Sequence, residues 1–173
     1  MCKVAGIQSV IAKRKRRYRR AGVPVGDDLV QREFTADRID QKWLVDITEH
    51  WTGEGRLYMC AFKDVCSNRI VGYAIGRRMK ASLAVRALKN ALEQRGYPEG
   101  VIVHSDRGGQ FRSRSFQQTL TRYNLRGSMG RVGACGDNAA MESFFSLLQK
   151  NVLDRQPWAT REELRLAIVH WVE

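Results

Sequence analysis

Val101-Ile102-Val103-His104-Ser105-Asp106-Arg107-Gly108-Gly109-Gln110-Phe111 is the stretch whose reading decides the fold. Residues 101–105 are short and apolar, the pattern of a strand buried on both faces in a parallel pairing. The strand runs directly into Asp106 and a Gly-bearing turn. In open sheets with helical crossovers, ligand sites gather at the carboxyl ends of strands. On the amino side, Ala84, Ala87, Leu88, Ala91 and Leu92 recur at helical spacing, with Gly96 as a stop. Further out are three strands: 43–48, 56–65 after the turn Thr52-Gly53-Glu54-Gly55, and 68–77. Their short spacing predicts an antiparallel meander. On the carboxyl side come a polar helix over 113–123, a short strand over 125–129 and a Gly-rich loop over 130–136. Met141, Phe144, Phe145, Leu148 and Val152 then form a helical stripe, and a last amphipathic helix covers 161–172 with Thr160 as its N-cap. Three strands, helix, strand, helix, strand, helix, helix is the order of an α/β protein with a mixed sheet flanked by helices.

With 173 residues and 43% apolar residues, the chain fits one domain with a substantial core. Its 30 Lys and Arg against 18 Asp and Glu leave a net charge of +12, which favours a polyanionic partner. No apolar run reaches transmembrane length and no signal-peptide pattern opens the chain, so neither a membrane nor export is expected. Cys2, Cys60, Cys66 and Cys135 show no C-x-x-C or zinc spacing, so free thiols in a reducing cytoplasm are the expectation. Residues 1–39 read as a basic arm or linker. Eight basic residues and no acid fall within the first 20 positions, and Lys13, Arg14, Lys15, Arg16, Arg17, Arg19 and Arg20 form a run suited to phosphate contact. The globular part is expected to span residues 40–173.

Three acids sit where acids are costly unless used. Asp46 lies inside an apolar strand, between Val45 and Ile47. Asp106 ends the buried strand. Glu142 stands beside the apolar stripe of its helix. Each has an ordinary alternative: strand-edge residue, turn or helix cap, first-turn acid favoured by the helix dipole. Together they repel, by roughly 4 kcal/mol per pair at about 4 Å if the effective dielectric is near 20. Divalent cations relieve that cost, and oxygen ligands without His or Cys select magnesium or manganese. A pair of ions about 3.5–4 Å apart suits in-line phosphoryl displacement.

The segments WLVDITEH, GRLYMCAFKDVCSNRIVGYAIGRRM, VIVHSDRGGQF and GDNAAMESFF resemble the transposases of the insertion sequence 3 family, and 35 residues separate Asp106 from Glu142, as in that family's D,D-35-E pattern. The resemblance implies a retroviral-integrase-type core on a ribonuclease H-like fold, with Asp46, Asp106 and Glu142 as the metal-binding triad. It further implies Mg2+ or Mn2+, DNA as partner, no small-molecule substrate, homo-oligomers on paired DNA ends, and a nucleoid-associated cytoplasmic protein. His104 and Arg107 flank the second acid, and Asn138 lies one helical turn before Glu142; all three become expected DNA contacts. The Gly-rich loop is expected to act as a flap. Where the family often carries Lys seven residues after the Glu, this chain has Gln149, with Lys150 one step round the helix as the expected contact. Gly109 replaces a frequent Ser. The family's full protein starts with a helix-turn-helix region and continues beyond Glu173, so a C-terminally truncated catalytic region is expected. Alternatives are an inactive DNA-binding remnant and a nuclease on the same fold.

Overall fold

The computed structural model describes residues 27–130 and 139–173; the run Lys13–Arg20 and Asn138 lie outside them, as does the Gly-rich loop apart from Gly130. The elements follow the expected order: β1 (Lys42–Thr52), β2 (Gly55–Asp64), β3 (Ile70–Gly76), α1 (Ala81–Gln94), β4 (Ile102–Ser105), α2 (Arg114–Arg122), β5 (Arg126–Met129), α3 (Ala139–Asn151) and α4 (Arg161–Val172). A 3-10 turn, Leu153–Arg155, lies between the last two helices.

The sheet has the order β3-β2-β1-β4-β5. β1, β2 and β3 form the antiparallel meander, while β4 pairs in parallel with β1 and β5. The short apolar run 101–105 is therefore central, as its composition required. Strand alternation sorts the core into two layers. Trp43, Val45, Tyr58, Cys60 and Phe62 face α1 and α2, which supply Leu83, Leu88, Leu92, Phe116 and Leu120. Leu44, Leu57, Met59 and Ala61 face α3 and α4, which supply Met141, Leu148, Leu164 and Ile168.

Two local features set these helices against the sheet. A Cβ at Gly72 would stand 2.3 Å from the backbone nitrogen of Ala91, so the bare glycine lets α1 approach β3. At α4, Thr160 and Glu163 form a reciprocal capping box, satisfying two backbone donors.

Part of the stretch before residue 40 packs on the folded body. Val30 is buried, Phe34 packs on the α3-side core, and the Leu29 amide donates to Ser128 Oγ at 2.9 Å. Residues 27–39 are thus a strap on the folded body. Isolated apolar residues in a polar stretch have no periodicity, which hid this role.

Candidate active site

Strand register brings the first two acids together. Leu44 pairs with His104 and Val45 with Ser105. One further step along the parallel pair sets Asp46 beside Asp106, on the face of Leu44 and therefore on the α3 side. Glu142 arrives in the first turn of α3, next to Met141, which is buried with Leu44, Met59 and Ala61. Lys63 Nζ donates to the Ala140 carbonyl at 3.1 Å, tying this end of α3 to β2. The strand, the strand end and the helix start thus converge at one corner of the sheet.

The charges of Asp106 and Glu142 both bear on Asp46. The Asp46 carboxyl is pushed up from 3.8 to about 6, chiefly by burial and further by the charges of Asp106 and Glu142, against the lowering effect of the Ile47 amide. Asp46 is half-buried, whereas Asp106 and Glu142 are exposed. Each aspartate is turned to a local backbone donor: Ile47 N to Asp46 Oδ1 at 2.7 Å, Gly108 N to Asp106 Oδ1 at 2.8 Å. Among the described residues, no three metal-ligating side chains are drawn up around one point. The corner is an acidic cluster. Its donor set, carboxylate oxygen throughout, fits a hard divalent ion.

The other expected contacts separate. Arg107 is exposed and its Nε donates to the Gly130 carbonyl at 2.8 Å, bracing the turn after Asp106. Lys150 is exposed in the last turn of α3, about 12 Å along the helix from Glu142. The Gln149 amide is engaged by Asp154. His104 is buried, its Nδ1 lies 2.9 Å from Ser128 Oγ, and Phe34 packs edge-on against its ring. A ring enclosed in this way secures β4 to β5 and to the strap.

An integrase core domain family model matches residues 36–135. The chain belongs to the integrase core domain family. Over 156 residues it is 42% identical to the transposase InsF for insertion sequence IS3A of Escherichia coli, covering 90% of this chain and 54% of that protein. Over 166 residues it is 36% identical to an uncharacterized 31 kDa protein of insertion element IS600 from Shigella sonnei, covering 93% and 61% respectively. The chain therefore spans between half and two thirds of the length of these curated relatives.

Among solved structures, this integrase core resembles the simian T-cell lymphotropic virus intasome in complex with PP2A regulatory subunit B56 gamma, at TM-score 0.67 and 18% identity, covering 87% of this chain and 52% of that one. It also resembles the HTLV-2 integrase catalytic core domain in complex with magnesium in its trimeric form (TM-score 0.60, 16% identity, 77% and 82% covered). A third likeness is to the catalytic domain of Mos1 mariner transposase (TM-score 0.58, 17% identity, 77% and 70% covered). At these identities the likenesses establish the ribonuclease H-like fold. No helix among the described residues is long and apolar enough to cross a membrane.

Proposed function

We propose that this integrase core cuts and joins DNA strands in transposition, with Asp46, Asp106 and Glu142 as its catalytic acids. The supporting observation is the corner itself: two aspartates adjacent by register and a glutamate from a separate helix, each adding to the charge felt at Asp46. A structural cluster would carry basic partners, and none of the three has a salt bridge among the described residues.

The chemistry is an exchange of oxygens at phosphorus. A water oxygen attacks the phosphorus, the bond to the leaving 3′ oxygen breaks, and that oxygen takes up a proton. The freed 3′-hydroxyl then loses its proton and attacks a phosphorus of a second DNA, whose own leaving oxygen departs protonated. Each step makes one P–O bond and breaks one, so no redox partner is needed. When held by the three acids, Mg2+ or Mn2+ supplies Lewis-acid stabilisation of charge on the attacking and leaving oxygens. Burial of the Asp46 flank excludes water from one side, and the Gly108 amide holds the Asp106 carboxylate at the rim. Arg107, Asn138, Lys150 and the run Lys13–Arg20 contact DNA phosphates. The protein works as a homo-oligomer on DNA, beside the bacterial nucleoid.

Incubation of the chain with its element's terminal DNA and Mn2+ tests this reading. Nicked and target-joined products are expected from the wild type and not from Asp106→Asn. Undiminished products from that variant would overturn the assignment, and cutting without joining would reduce the protein to a nuclease.

A further inference from the structure

We propose that the turn between β3 and α1, through Arg78 and Lys80, holds the DNA backbone beside the reacting phosphate. The inference rests on Asp106 acting on phosphate. β3 runs parallel to β1, and Gly76 pairs with Tyr58, which pairs with Glu49. The turn that follows Gly76 therefore emerges at the same end of the sheet as the acids.

Gln110 spans the gap between the two. Its Oε1 would meet a Cβ on Gly108 at 3.0 Å, and Asp106 Oδ1 would meet the same Cβ at 2.8 Å. Its Nε2 reaches the Met79 carbonyl at 3.5 Å. These contacts leave Asp106 Oδ1 and the Met79 carbonyl no more than about 12 Å apart, given hydrogen-bond distances near 3 Å.

The charges at this turn are available. Arg77, Arg78, Met79 and Lys80 are all exposed. The charge of Arg77 is felt at Glu162. Arg78 and Lys80 enter no ion pair and no side-chain hydrogen bond among the described residues. Across the Gln110 bridge, Arg112 and Arg114 open α2, and Arg112 Nε is enclosed without an acceptor among the described residues. Neither α1 nor α2 has an acid in its first turn. Four cations and no first-turn carboxylate thus rim the α1 side of the corner. Phosphates, which need positive charge and carry no base identity, are the partner such a rim fits.

The test is binding of the full chain to a fluorescein-labelled DNA duplex without divalent metal, across a salt series. Each phosphate contact contributes a slope of about 0.9 in log affinity against log salt. Arg78→Ala with Lys80→Ala is expected to lower the slope by about 1.8 and leave the Tm unchanged. The control Lys89→Ala with Arg126→Ala, farther down α1 and at the opposite end of the sheet, is expected to lose less than half of that. An unchanged slope in the first pair, or an equal loss in the control, would overturn the proposal. Mn2+-dependent nicking by the wild type and by Asp106→Asn is scored separately. A wild type without metal-dependent product would sink the catalytic reading, and the salt slope would still decide whether DNA lies on this turn.

Discussion

Two groups of carboxylates occupy the same sheet and have opposite fortunes. At the amino end of β1, Asp64 is fully buried and accepts from the Asp40 amide, the Ser67 amide and Ser67 Oγ at 2.7–2.9 Å. Beside it, Asp40 takes a bidentate pair from Arg95 and a bond from the Trp43 indole at 3.1 Å. Every charge there has a partner within the chain. At the other end, Asp46 has one backbone donor and two acidic neighbours, and its carboxyl is pushed up to about 6. A buried acid whose partners are all internal ties the chain to itself. An acid left facing other acids is held at a cost in stability, and that cost is relieved by something from outside.

The largest effect that would break this contrast is on activity. Asp106→Asn is expected to lower metal-dependent strand cleavage at least a hundredfold, since several kcal/mol of charge stabilisation depend on the metal. Its Tm should stay close to that of the wild type; a large drop would make Asp106 a structural acid after all. Asp64→Ala should do the reverse. It strands three donors in a buried site and is expected to cost about 3 kcal/mol of stability, read as a fall in urea midpoint. An Asp64→Ala protein of normal stability would remove the structural half of the comparison.

Asp46→Asn sharpens it through sign. A carboxyl raised in the folded state contributes most to stability below pH 3.8 and loses that contribution as pH rises toward 6. At pH 7 without metal the amide should therefore stabilise the protein, by about 1–2 kcal/mol once a shift worth roughly 3 kcal/mol is discounted for solvent screening. Near pH 3.5 the gain should vanish. Thermal melts of both proteins across this window check it, and a destabilised Asn variant at pH 7 would contradict it. The smallest effect is at Arg95. Its guanidinium, raised by the Asp40 hydrogen bond, is partly exposed, so Arg95→Ala should cost about 1 kcal/mol. A loss several times larger would mean that Asp40 depends on this one partner.

Much of this was legible in the sequence, for reasons that can be named. The order of elements follows from periodicity: two-residue alternation in β1 to β3, helical spacing in α1 and α3, and an uninterrupted apolar run in β4. The two aspartates stood out because an Asp within Trp43-Leu44-Val45-Asp46-Ile47 or directly after Val101–Ser105 contradicts its surroundings. The strap of residues 27–39 was not legible, because Val30 and Phe34 belong to no periodic pattern and their partners are far away in the chain. The bond from His104 to Ser128 was not legible either, because it depends on the parallel pairing of β4 with β5. The Arg77–Lys80 turn gained meaning only from the register of β3 and the reach of Gln110, neither of which spacing reveals.

The central claim is that Asp46, Asp106 and Glu142 share divalent cations at this corner. Anomalous scattering from crystals soaked in Mn2+ tests it most directly. The account predicts Mn2+ peaks within ligand distance of all three carboxylates in the wild type, and their loss in Asp106→Asn. Manganese bound elsewhere, with the two aspartates still turned to their local amides, would contradict it.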